Sequence, residues 1–121
     1  MPRVEIPVTT IERDGSTQPA LTNGDATNDH YVTGGADGLT VLEIVSSDGG
    51  AQTVEVVPSP SLTADGLTVD NLSIAVAAGA TVVAGPFRTN TFKQDASNTL
   101  YVNPSVSNNL DFRAYRLVLP Q

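Results

Sequence analysis

The clearest pattern in the chain runs from Ala64 to Phe87, where apolar residues alternate at Leu67 and Val69 and again at Leu72, Ile74 and Val76. A period of two belongs to a strand with one buried face, and a slip of one residue at Asp70 and Asn71 is what a β-bulge gives. Ala78-Gly79 interrupts the run, Thr81, Val82 and Val83 restore β-branched character, and Gly85-Pro86 ends it. Proline donates nothing to a ladder and restricts the residue before it. The stretch therefore predicts strand, tight turn, strand: a hairpin.

The same reading extends along the chain. Over Pro2 to Ile11, Val4, Ile6 and Val8 alternate with polar residues and proline, and Pro7 confines this strand to a sheet edge or frees it as an arm. Residues 14–29 are polar and turn-forming, so they read as a loop. Short strands follow at His30 to Val32, at Thr99 to Asn103, and at Leu110 to Leu119, where the phase slips at Ala114 and turns Tyr115 inward. Phe87 to Asp95 has no clean period and reads as a loop holding one short strand or helical turn.

Ala36-Asp37-Gly38-Leu39-Thr40-Val41 recurs as Ala64-Asp65-Gly66-Leu67-Thr68-Val69. Each copy is followed by a strand (Leu42 to Ser46; Leu72 to Val76), a Gly-Ala turn, a Thr-Val strand and a proline, Pro58 or Pro86. The pattern predicts two similar hairpins in tandem, each opened by an Asp-Gly turn. The predicted class is all-β: a single antiparallel β-sandwich, jelly-roll or Ig-like, of about eight short strands. Residues 1–12 form an N-terminal strand or docking arm, and 13–121 the sandwich domain.

Composition supports one domain. The 121 residues include eight Pro and ten Gly that punctuate many short segments, and the apolar residues are mostly small. With no cysteine, neither disulfides nor thiolate metal sites can hold the fold. Thirteen acids against six bases give a net charge of −7, which disfavours nucleic acid and anionic membranes as partners. The last third is locally basic, with Arg88, Lys93, Arg113 and Arg116 against Asp95 and Asp111. The N-terminus has no apolar run suited to a signal peptide, and no segment approaches the roughly 20 apolar residues of a membrane span. The expectation is a soluble chain made in the cytoplasm.

Candidate chemistry is sparse. Absent cysteine and with His30 as the single histidine, thiol catalysis and histidine-clustered metal hydrolysis are excluded. Asp25, Asn28, Asp29 and His30 invite a metal, but their spacing matches no Ca²⁺ loop and such residues commonly cap their own turns. No catalytic residue, cofactor or metal is predicted. A carbohydrate- or surface-binding sandwich is the alternative reading. It lacks tryptophan, and Tyr31, Tyr101 and Tyr115 sit in strands, where tyrosines usually fill a core or pair across strands.

Taken in order, residues 25–31 (DATNDHY), 42–47 (LEIVSS), 78–81 (AGAT) leading to Gly85-Pro86-Phe87, and 100–103 (LYVN) before a closing strand with Arg-Leu resemble small β-sandwich structural proteins of tailed bacteriophages. In particular, the chain is similar to head decoration, or cement, proteins. The resemblance implies a non-enzymatic virion component on the capsid exterior that binds the major capsid protein, as a homo-oligomer with a trimer favoured, and clamps neighbouring shell subunits. Related sandwiches also serve at the head-tail junction and in tails. Under this reading, Pro2, Val4 and Ile6 would lie across a neighbour as an added strand. Phe87 and Phe92, flanked by Arg88 and Lys93, would make an apolar contact with a basic rim.

Overall fold

In the computed structural model, which describes residues 2–61, 63–64 and 67–117, the period-two patterns become strands whose inward residues share one core. Strand β5 (Thr40–Ser46) alternates without a break, with Thr40, Leu42, Ile44 and Ser46 buried and the residues between them half-exposed. Strand β12 (Leu110–Arg116) runs antiparallel to it with Leu110, Phe112 and Ala114 inward. The expected slip at Ala114 does not occur. Ala114 keeps the inward phase, so Tyr115 faces outward, its hydroxyl 3.3 Å from Glu43 beside the Arg113–Glu43 ion pair at 2.9 Å.

Four antiparallel pairs nest one inside the next. β4 (His30–Val32) pairs with β11 (Leu100–Pro104), β5 with β10 (Thr81–Ala84), β6 (Gln52–Val56) with β9 (Leu72–Val76), and β7 (Thr63–Ala64) with β8 (Leu67–Thr68). With β1 (Val4–Glu5), β2 (Val8–Thr10) and β3 (Thr22–Asn23), they build two packed layers. One sheet has the order β1-β4-β11-β6-β9; the other is β10-β5-β12-β2, with β3 also paired to β12. Successive nested pairs alternate between the layers, which is the wrap of a jelly roll. The innermost pair, β7 and β8, stands as a separate two-stranded ribbon.

This wrap corrects the two predicted hairpins. β5 and β6 lie in different sheets, as do β9 and β10, so Gly50-Ala51 and Gly79-Ala80 lie in arches that cross the sandwich. Alternation cannot tell an arch from a hairpin, because either leaves every second residue on the core. The repeated hexapeptide also serves two ends. Its first copy leads into β5, with Gly38 at φ 81° and Asp37 Oδ1 accepting from the Leu39 N–H (2.8 Å) and the Thr40 hydroxyl (3.0 Å). Its second copy begins at the last residue of β7 and contains all of β8, and residues 65–66 between these strands lie outside the described residues. The bulge expected at Asp70 and Asn71 coincides with the break between β8 and β9.

Residues 4–10 are part of the sandwich. β1 runs parallel to β4 and β2 parallel to β12, each at the end of its sheet, so the sheets are mixed rather than purely antiparallel. Between them Ile6 is fully buried and Pro7 is exposed at the step from one layer to the other. The segment is thus strand, and no free arm. The core is built of branched aliphatics with two phenylalanines, Phe87 and Phe112. Phe87 meets Phe92 edge-on (centroids 5.5 Å apart, planes at 85°) across α1 (Thr89–Phe92), a single helical turn.

Candidate functional site

The residues expected to form an interface separate by burial. Ile6 and Phe87 are core residues, 0% and 2% exposed, and offer no surface to a partner. Phe92 is half-buried against the core, while Arg88 and Lys93 flank α1 in solvent. Pro2 is exposed and Val4 partly so. An apolar phenylalanine contact with a basic rim is therefore not what this surface presents: one ring is interior, and the other is largely used in holding it.

A different site is assembled by the pairing of β1, β4 and β11. The inward residues of β11 are Leu100 and Val102, and those of β4 are His30 and Val32, so Tyr101 and Tyr31 between them face outward. The two tyrosines are direct cross-strand partners. From the segment entering β1, the Arg3 guanidinium lies 3.9 Å above the centre of the Tyr101 ring, and its Nη1 donates to Asn103 Oδ1 (2.7 Å) and to the His30 carbonyl (3.1 Å). Such a cation–π contact with two hydrogen bonds fixes a long side chain that would otherwise sample many rotamers. Asp95, Ser97 and Thr99, from the loop preceding β11, line the same groove of about 640 Å³ as Arg3 and the two tyrosines.

Asp95 is held as carefully as Arg3. Its Oδ1 accepts from the Thr99 hydroxyl (2.9 Å), the Ser97 N–H (2.9 Å) and, at 3.4 Å, the Thr99 N–H. The Thr99 hydroxyl bond lowers the carboxyl's pKa most; some desolvation opposes it although the residue is exposed, and the two amides add to the lowering. Asp95 is therefore ionised at neutral pH, and among the described residues its Oδ2 has no partner. The groove combines one fixed cation, one fixed anion and two outward aromatic rings.

Beneath this face lies His30, fully buried, its ring 5.1 Å from that of Phe112. Nε2 accepts the Asp25 N–H at 2.9 Å, so Nδ1 carries the proton and donates to the Val4 carbonyl at 3.1 Å. Burial pushes its pKa down, against the raising effects of the Val4 carbonyl and of Asp25 and Asp29. With both nitrogens bound to backbone, His30 ties β1 to the loop before β4 and has no lone pair for a metal. Asp25 in turn accepts the Thr27 and Asn28 N–H groups at 3.0 Å each, an Asx turn. Among the described residues no group of three or more His, Asp or Glu side chains is placed to hold a metal ion, and no helix is long and apolar enough to cross a membrane.

The outward phase of Tyr101 was available in the sequence from Leu100 and Val102 on either side, and that of Tyr31 from Val32 alone, its other neighbour being His30. Their meeting with Arg3 was not, because it depends on β1 joining β4 from about 26 residues away in parallel register. Compared with protein-family models, curated proteins and solved structures, the chain matches none.

Proposed function

We propose that this chain is a non-enzymatic structural protein of a tailed-phage virion, a decoration protein that docks on the outside of the shell and stabilises contacts between shell subunits. The observation that carries this reading is that apolar side chains stand exposed on the strands that end both sheets and on the β7–β8 ribbon, where the two most exposed large apolar side chains among the described residues lie. Leu67 on the β7–β8 ribbon is 71% exposed, Val83 on β10 63% and Leu72 on β9 43%. β9 and β10 each end their sheet, so an outer backbone edge runs beside Leu72 and another beside Val83. Exposed apolar groups next to an unpaired edge favour association with another protein surface, by burial and by strand addition. Jelly rolls also serve as lectins and enzymes, so the fold by itself does not choose among functions. The resemblance to decoration proteins supplies the identity of the partner, the major capsid protein.

The test is the copy number of the chain in purified particles, by quantitative mass spectrometry against the major shell protein. A ratio of one copy per shell subunit, or a simple fraction of it, is expected. A handful of copies per particle moves the protein to the head-tail junction or tail, and absence from particles overturns the reading. A Leu67→Asp, Val83→Asp double variant is expected to remain folded and to lose binding to shells assembled without the chain.

A further inference from the structure

We infer that the groove between Arg3, the Tyr31–Tyr101 pair and the loop at Asp95 is a binding site for a neutral pyranose sugar, presented by a glycan. The inference stands independently of the virion role. It rests on what the groove leaves unused. Arg3 spends only Nη1 on the protein, so Nε and Nη2 remain donors without a partner among the described residues. Asp95 spends Oδ1 on its own loop, so Oδ2 remains an acceptor. The Tyr31 and Tyr101 hydroxyls and that of Ser97 likewise have no partner among the described residues, and all three line the groove.

A fixed donor and a fixed acceptor facing one cavity suit a ligand whose groups both donate and accept, which is the chemistry of adjacent sugar hydroxyls. The aromatic component selects further. Arg3 already covers one face of Tyr101, so the half-buried Tyr31, which also lines the groove and has no such cation above it among the described residues, is the ring left to meet the apolar C–H face of a pyranose. Charge argues for a neutral ligand. The groove lining pairs one cation, Arg3, with one anion, Asp95, so its own charge is balanced and selects neither an acidic nor an amino sugar, and the chain's net charge of −7 further disfavours the acidic one. The volume of about 640 Å³ accommodates one or two sugar rings, and the open form suits part of a longer chain.

Both anchors are rigid before any ligand arrives. Arg3 is held by two hydrogen bonds and a ring, and Asp95 by its turn, so little entropy remains to be lost on binding. Position also favours use. The groove lies at the β1–β4–β11 end of its sheet, while the exposed residues of β9 and β10 occupy the opposite side, so a shell docked there leaves the groove open.

The test is saturation-transfer NMR on the whole chain with methyl glycosides of glucose, galactose, mannose and N-acetylglucosamine, followed by an array of neutral and sialylated glycans. Transfer to at least one neutral glycoside is expected. Asp95→Asn keeps a carbonyl oxygen to serve the loop while replacing the free acceptor by a donor, and Tyr31→Ala removes the stacking surface. Each is expected to weaken binding about tenfold or more, with circular dichroism unchanged. If no glycoside shows transfer, if binding is confined to acidic sugars, or if binding survives Asp95→Asn undiminished, the inference is overturned. Asp95→Asn keeps the test decisive should Tyr31→Ala fail to fold.

Discussion

At the scale of single residues, the side chain with the most consequence for stability is His30. Its neutral ring serves two backbone groups at once, and protonation would place a charge inside the core and leave the Asp25 N–H without an acceptor. The pKa in the folded chain lies below the ordinary 6.5, driven first by burial. A histidine with a depressed pKa binds fewer protons folded than unfolded. Its contribution is therefore complete above pH 6.5 and lost as pH falls from there toward the folded value. The expected outcome is a loss of unfolding free energy below pH 6.5, with a slope of at most about 1.4 kcal/mol per pH unit for the one proton involved. Asp25, Asp37, Asp48 and Asp95 all have lowered pKa values and add their own losses only below about pH 4, so the window above that isolates the histidine. Urea unfolding between pH 7.5 and 4.5 checks this. A His30→Gln variant should be less stable at pH 7 and flat across the window; equal slopes for the two proteins would rule the explanation out.

Among the elements, the segment from β1 to β2 carries the strongest prediction, because it belongs to both sheets. Ile6, with no exposed surface, is the point at which it is pinned. Ile6→Ala removes buried methyl and methylene groups and leaves a cavity between the layers, which costs about 2–5 kcal/mol. The same change is expected to raise amide exchange at Val4 and Ile6, whose N–H groups donate to the Asp29 and Tyr31 carbonyls (both 2.9 Å). A detachable docking arm would instead tolerate the substitution, so denaturation and hydrogen exchange together separate the two. What could be read from sequence divides along similar lines. Alternation at Leu42-Ile44, Leu100-Val102 and Leu110-Phe112 made the strands visible, because the buried face is a local property. Which strand each one meets was not visible. Val45 pairs with Thr81 and Val56 with Leu72, partners fixed by the wrap of the whole chain. For that reason an arch and a hairpin look alike in sequence, and nothing local separates a buried phenylalanine such as Phe87 from one that would meet a partner. The groove was half legible: the outward tyrosines follow from their neighbours, while Arg3 and Asp95 reach them only through tertiary pairing.

Across the whole molecule, the jelly-roll wrap puts two differently equipped surfaces at opposite ends of one sheet. The β9 end carries apolar side chains and an open backbone edge; the β1–β4–β11 end carries a polar groove with a fixed cation and anion. Between them stand β6 and the paired core residues Val54, Val56 and Val102, all fully buried, which resist deformation because close-packed interiors have little free volume. Coupling between the two surfaces would require an element with two states that both of them bias, and a close-packed core between them disfavours one. The two proposed activities should therefore be independent. A neutral glycoside is expected to bind the free chain and the particle-bound chain within about twofold of each other, a difference of about 0.4 kcal/mol. Conversely, the Leu67→Asp, Val83→Asp variant should lose the shell and keep the sugar, and Asp95→Asn should lose the sugar and keep the shell. Titrating one methyl glycoside into the free chain, the particle-bound chain and each variant, and each variant into bare shells, gives all six readings. Sugar binding that weakens sharply on the particle would place the docking surface at the groove end instead, and would make Pro2, Arg3 and Val4, rather than Leu67 and Val83, the residues that meet the shell.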